Sequence, residues 1–237
     1  MPGHGKKYRN ARAMVPATPL PPREAVALAK KTAYANFAEA VELHLATSAD
    51  PRQADQQMRE VANLPHGTGK AVRVFVFAEG EAARAAQEAG ADYVASEDLI
   101  KKIEGGWSEF DISIATPDQM GKLGKLGRFL GRKGLMPNPR TGTVVQPAEI
   151  RKAVEGAKKG RAEVRMDKTA NVHVRIGTAK FTEEQLTENL ASVYATFSRA
   201  RPDGIKGQFV KSATLATTMG PGIKLDIPAL EELAKQS

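Results

Sequence analysis

The first spacing in this 237-residue chain that suggests chemistry is GTGK, Gly67–Lys70, because glycines before a lysine can cradle a phosphate. The details do not fit. A Walker-type loop needs Gly, four residues, Gly-Lys and then a hydroxyl residue. Here Leu64 stands where the first glycine should be, and Ala71 follows Lys70. The series Gly121, Gly124, Gly127, Gly131 and Gly134 matches neither that loop nor the dinucleotide fingerprint. No nucleotide cofactor is therefore expected. The four histidines (His4, His44, His66, His173) are scattered, with no HExxH pair and no GxSxG elbow. The chain has no cysteine, which excludes a thiol nucleophile, an iron–sulfur cluster, a disulfide scaffold and a cysteine zinc site. No catalytic constellation and no metal site emerge.

Binding chemistry is better represented. Three stretches concentrate positive charge. Residues 1–23 hold Lys6, Lys7, Arg9, Arg12 and Arg23 with no acid. Residues 121–143 hold Lys122, Lys125, Arg128, Arg132, Lys133 and Arg140, again with no acid. Residues 156–180 hold Lys158, Lys159, Arg161, Arg165, Lys168, Arg175 and Lys180 against Glu163 and Asp167. Such runs suit a polyanion, although each alone could be a solvated face. The stretch 121–143 reads two ways. Its glycines would let the backbone approach an anion, while Leu123, Leu126 and Leu130 at helical spacing would form the packed stripe of a surface helix. Beyond Gly160, Arg161, Arg165, His173 and Arg175 could share one polar sheet face suited to phosphates and 2′-hydroxyls, or simply keep the domain soluble.

Elements must hold these residues in place. A basic arm ends in the Pro-rich ATPLPP, and Pro22 opens the helix REAVALAKKTAYA. FAEAVELHL alternates, with Val41, Leu43 and Leu45 on one strand face and Glu42 and His44 on the other. MREVANL is a weaker strand. From AVRVFVF to Pro117 the pattern is strand–helix–strand–helix–strand, which predicts a parallel α/β unit. RAEVRM and NVHVRI alternate as two strands around DKTA, read as a hairpin turn. TEEQLTENLASVYATFSRA is a helix with Leu186, Leu190, Val193, Tyr194 and Phe197 on its core stripe. GQFVKSATLATT and IKLDI follow as strands joined by the turn MGPG. Gly67/Gly69 and Gly156/Gly160 bracket the parallel unit, either as the joints of an inserted domain or as ordinary loop glycines.

The whole composition agrees with a folded, anion-binding chain. Lys and Arg total 35 against 27 Asp and Glu, a net +8, and 41% hydrophobic residues suffice for a core. No apolar run approaches a membrane span, and no signal core follows the basic start, so a cytoplasmic protein is expected.

Four segments, in this order, carry a specific resemblance: LPHGTGK (64–70), GRFLGRKGLMPNPRTGTV (127–144), VRMDKTANVHVRIG (164–177) and KSATLATTMGP (211–221). With the basic start GHGKKYR, the chain resembles the bacterial L-one family of large-subunit ribosomal proteins along nearly its whole length. The resemblance implies an α/β fold of two domains. One is a split β-α-β sandwich formed by both chain ends, 1–66 and 161–237; the other is a Rossmann-like domain, 67–160, inserted in it. It implies a non-enzymatic component of the 50S ribosomal subunit, monomeric when free. Its first domain would bind large-subunit rRNA at the mobile stalk beside the tRNA exit site. Further partners would be exit-site tRNA, whose release it assists, and its own operon mRNA leader, whose translation it represses.

The family's RNA contacts fall here on Phe37, Ser212, Thr218, Met219 and Gly220, with Arg161, Arg165, Lys168 and His173 in support. Phe37 and Met219 would pack on bases or ribose; without the resemblance both would read as core residues. Gly220 would admit RNA backbone. Gly67, Gly69, Gly156 and Gly160 would be hinges. The chain departs from the family in having Asn36 where Lys is frequent and Ala40 where Thr is frequent, so one charge and one hydroxyl are missing from that edge. Two other classes stand beside this reading: an α/β enzyme binding a phosphorylated ligand, and a basic protein that coats any polyanion.

Overall fold

The computed structural model describes residues 5–235 other than 54, 203 and 206, and all side chains among them except those of Glu97 and Arg140. In chain order the elements are α1 (Lys6–Ala13), α2 (Pro22–Thr32), β1 (Ala40–Thr47), β2 (Arg59–Asn63), β3 (Val74–Phe77), α3 (Gly80–Glu88), β4 (Tyr93–Val94), α4 (Glu97–Glu104) and β5 (Ile112–Ala115). There follow α5 (Met120–Leu123), α6 (Gly127–Arg132), α7 (Ile150–Lys159), β6 (Arg161–Arg165), β7 (Asn171–Thr178), α8 (Glu183–Arg199), β8 (Val210–Thr217), β9 (Ile223–Lys224) and α9 (Ile227–Lys235). The chain separates into two compact units, one running up to Gly69 and resuming at Ala162, the other Lys70–Arg161.

The first unit is the split sandwich, built around β1. This strand pairs antiparallel with β7 on one side and β8 on the other, and β9 extends the sheet beyond β8. Strict alternation drives Val41, Leu43 and Leu45 into the core and leaves Glu42 and His44 on the outer face. A second sheet of β2 and β6 adds Ala62, Ala162 and Val164 to the same core. Helix α8 seals it with Leu186, Leu190, Val193, Tyr194 and Phe197. Thr182 and Gln185 form a complete capping box at its start, satisfying two end N–H groups. Helix α2 begins at Pro22 and carries Glu24 in its first turn and Lys30 and Lys31 in its last, in accord with the helix dipole.

The second unit is Rossmann-like: a parallel sheet in the order β4-β3-β5 with helices on both faces. All four residues of β3 are buried, as expected for a strand covered on both sides. Val74 and Val76 face α3 and α7, while Phe75 and Phe77 face Ile103 of α4 and the leucines Leu123, Leu126 and Leu130.

Four expectations are corrected. Residues 6–13 of the basic arm form a helix. IKLDI is a strand only at Ile223–Lys224, because Asp226 N–H turns to the Leu20 carbonyl and α9 starts at Ile227. Gly156 is not in a connection: it lies inside α7, where a Cβ would meet the Arg161 guanidinium at 2.4 Å. The strands either side of DKTA do not form one hairpin sheet, as described next.

Candidate nucleic-acid interface

Val41 of β1 lies opposite Thr217 of β8, so the segment entering β1 and the segment leaving β8 emerge at the same end of the sheet. Phe37 and Met219 sit on these segments and are 58% and 48% exposed. Both are therefore surface residues and not core residues. Several bonds join the two segments. Thr218 Oγ1 accepts from Ala40 N–H at 2.9 Å, and Thr218 N–H donates to the Ala40 carbonyl at 3.1 Å. The Tyr34 hydroxyl donates to the Met219 carbonyl at 2.8 Å. The Glu39 carboxylate, fully buried, accepts from Tyr34 N–H and Ala35 N–H on one oxygen and from Met219 N–H on the other, at 2.8, 2.7 and 3.0 Å.

Gly220 has a reason of its own to be glycine. Its N–H donates to Thr217 Oγ1 at 3.1 Å, and a Cβ built on it would stand 2.3 Å from that oxygen. Its smallness is demanded by internal packing, before any ligand approaches.

From this end the outer face of the four-stranded sheet runs back in rows. Arg175, Glu42 and Ala216 lie abreast, then His173, His44, Thr214 and Lys224, then Asn171, Ala46 and Ser212. Ser212 and His173 are exposed. His44 and His173 meet Nδ1 to Nδ1 at 2.8 Å, with Glu42 3.9 Å from the one imidazole and Asp167 3.7 Å from the other. Burial, and then the neighbouring His173, lower the proton affinity of His44 below the ordinary imidazole value, against the pull of Glu42. Asp167 is held below the usual carboxylate range by the backbone N–H of Asn171 and the Thr169 hydroxyl, which also shape the turn.

Arg161 and Arg165 do not share this face. The turn 167–170 forms, with Asp167 N–H on the Asn171 carbonyl and a bridge between Met166 and Val172. Ala170 there adopts φ +63°, and the strands diverge, β6 to β2 and β7 to β1. The cause is the core: Ala162 and Val164 are needed beside Ala62, and Arg59 pairs with Glu163 across β2 and β6 at 2.6 Å. Arg165 and Lys168 are exposed, whereas Arg161 is half-buried with its guanidinium over Gly156 and its Nε unpartnered.

In the second unit the basic stretch is helical and packed as far as Arg132, and beyond it Gly134 and Gly142 have left-handed backbone. Leu123, Leu126 and Leu130 are buried against Phe75, Phe77 and Phe110. The glycines 121, 124, 127 and 131 have open space where a Cβ would point and no left-handed backbone. They are not a phosphate cradle. Lys125, Arg132 and Phe129 face outward; Lys122 pairs with Glu79. Lys70 of GTGK pairs with Asp111 at 2.6 Å. Burial would raise Asp111, but Lys70 and the Arg73 N–H hold it below the usual carboxylate range. His4 and the Arg140 side chain lie outside the described residues. Among the described residues no group of three or more His, Asp or Glu could hold a metal ion, and no helix is long and apolar enough to cross a membrane.

Tyr34 and Glu39 were not among the sequence candidates. A signal for Glu39 existed: it is in phase with Val41, Leu43 and Leu45, a carboxylate on the core side of the alternation.

Residues 29–221 match the model of the ribosomal protein L1p/L10e family. The large ribosomal subunit protein uL1 of Thermomicrobium roseum is 56% identical over all of this chain and 99% of its own length. Those of Chloroflexus aggregans and Thermosipho melanesiensis are 52% and 51% identical, each over 98% of this chain and 99% and 100% of their own lengths. A match over most of the chain, with relatives of the same length and this two-unit α/β fold, means that the chain belongs to the ribosomal protein L1p/L10e family.

Proposed function

We propose that the protein is a structural component of the large ribosomal subunit in the cytoplasm and binds large-subunit rRNA at the stalk beside the tRNA exit site. The observation that carries this reading is the edge made by Phe37, Thr218, Met219 and Gly220: two exposed apolar side chains on a frame of internal hydrogen bonds. Exposed apolar groups held rigidly next to polar ones suit unstacked bases and ribose. Ser212 and His173 extend the contact along the outer face, and Arg165 and Lys168 supply charge from the neighbouring turn and strand. Arg161, packed over Gly156, acts as a background charge and not as a direct phosphate ligand.

The same edge would serve a similar fold in the leader of the protein's own operon mRNA, repressing its translation. Assistance to deacylated tRNA release belongs to the same proposal. So do joints at the two connections, where Gly67, Gly69 and Gly160 have left-handed backbone. Gly67 is tied to α8 through Asn189, a Cβ on Gly69 would meet Thr178 and Phe181, and Gly160 is buried at the end of α7. Scattering that gave one rigid shape with and without RNA would remove the joints from the proposal.

The test is a salt titration of binding to the stalk region of large-subunit rRNA beside a scrambled RNA of equal length. A gap that persists near physiological salt is expected. Equal affinities that collapse together would leave only a basic protein coating polyanions.

A further inference from the structure

We propose that Glu39 is the positioning residue of the RNA edge: its carboxylate fixes the segment carrying Phe37 to the segment carrying Met219, so that the two present one surface. The inference rests on the RNA-binding reading above and adds to it a residue that touches no RNA.

The chemistry is particular to a carboxylate. One oxygen takes two N–H donors, from Tyr34 and Ala35, and bends the chain that leads through Phe37 into β1. The other takes Met219 N–H from a segment 180 residues away. Both oxygens must accept, which an ionised carboxylate does and an amide cannot. In Glu39→Gln one oxygen becomes an NH2, so a donor faces a donor on one of the two segments. Burial would raise the proton affinity of Glu39, yet the N–H groups of Met219, Ala35 and Tyr34, with the Thr217 hydroxyl, hold it below the usual carboxylate range. The charge is therefore present at neutral pH, fully buried, and satisfied by donors from both segments.

Thr217 extends the clamp. Its hydroxyl helps to hold the Glu39 charge while accepting from Gly220 N–H. Carboxylate, hydroxyl and glycine amide thus set the course of the whole 217–220 segment. Phe37 and Met219 each leave about half of the side chain in solvent, so their relative placement depends on this backbone frame.

The experiment compares full-length wild type, Glu39→Gln and Met219→Ala on the stalk rRNA fragment and on scrambled RNA, with Val164→Ala as a destabilised control outside the edge. Glu39→Gln is expected to lose tenfold or more on the stalk RNA and little on the scrambled one, while Val164→Ala keeps its affinity. If Met219→Ala weakens the stalk complex and Glu39→Gln does not, the positioning role is overturned and the RNA edge stands. If Met219→Ala also binds like wild type, the RNA edge itself is wrong. A second measurement needs no variant. In the wild-type protein the amide proton shifts of Tyr34, Ala35 and Met219 should titrate together on acidification, with one midpoint below the ordinary carboxylate range. Independent behaviour of the Met219 amide would overturn the clamp even if Glu39→Gln failed to fold.

Discussion

The imidazoles of His44 and His173 face each other Nδ1 to Nδ1 at 2.8 Å, directly opposed on the neighbouring strands β1 and β7. Such a contact holds one proton between two rings and opposes a second. The folded state lowers the proton affinity of His44 below the ordinary 6.5, so the unfolded chain binds that proton more readily. Stability from the neutral ring is then complete above the unfolded value and is lost as pH falls through it towards the lower folded one. Melting temperatures at about pH 7.5 and about pH 5.5 should show this loss, and His44→Ala should flatten it. An identical pH slope in the variant would mean that other groups govern the acid limb.

Phe37→Ala and Met219→Ala should hardly touch stability, within about 0.5 kcal/mol, because exposed side chains leave no cavity. Specific RNA affinity should fall for each, about tenfold or more for Phe37→Ala, in line with about 1–3 kcal/mol per base stacked on an aromatic ring. Calorimetric melting and binding on the same samples separate the two effects. A large stability loss would return both residues to a packing role.

Gly220→Ala should act from inside. The added methyl would push the Thr217 hydroxyl out of place, at a cost of about 1–3 kcal/mol for overpacking. The affinity loss should come with a shifted Thr217 amide resonance in the free protein. A variant with unchanged free-state spectrum and weakened binding would show that the glycine serves RNA approach directly.

The basic residues of β6 and its turn divide by their surroundings. Removing Arg165 and Lys168 together should weaken specific and scrambled complexes alike and reduce the salt slope by about one per phosphate lost. Arg161→Ala should leave the salt slope nearly intact and lower stability, since its guanidinium is packed against α7. The opposite pattern would make Arg161 the phosphate contact.

Gly131→Ala tests the packed-helix finding in the second unit. With open space at its Cβ and ordinary helical backbone, alanine should stabilise by about 0.4–1 kcal/mol. Leu126→Ala in the same stretch should cost about 2–5 kcal/mol as a buried leucine. Destabilisation by the alanine at 131 would mean that the backbone there needs glycine after all.

Much of this architecture follows from local periodicity. The period of two in β1, β6 and β7, the apolar stripe of α8 and the fully apolar β3 are visible because each element meets its core repeatedly along a short stretch. Helix α1 was hidden by its charge, with only Ala11 buried. Helix α9 was hidden by β-rich residues at its start, where the pairing of β9 stops after two residues. The divergence of β6 from β7 could not be read from alternation, which names a face but not a partner. The edge itself was legible only by resemblance. Composition offers no reason for Phe37 and Met219 to be outside, and the donors that justify burying Glu39 come from both ends of the chain.

The placement of β1 between β7 and β8 also bears on how the protein is made. A ribosome synthesising this chain delivers β1 early and both of its neighbours late. The contiguous stretch Lys70–Arg161 is complete in between and can fold while β1 still has two unpaired sides. A nascent chain arrested before β8 has Phe37 but no Met219, and Glu39 has no amide from the second segment to hold. On the proposed RNA-binding reading, recognition through that edge is withheld until β8 and the segment that follows it have been made, so a product arrested earlier does not act as a competent one.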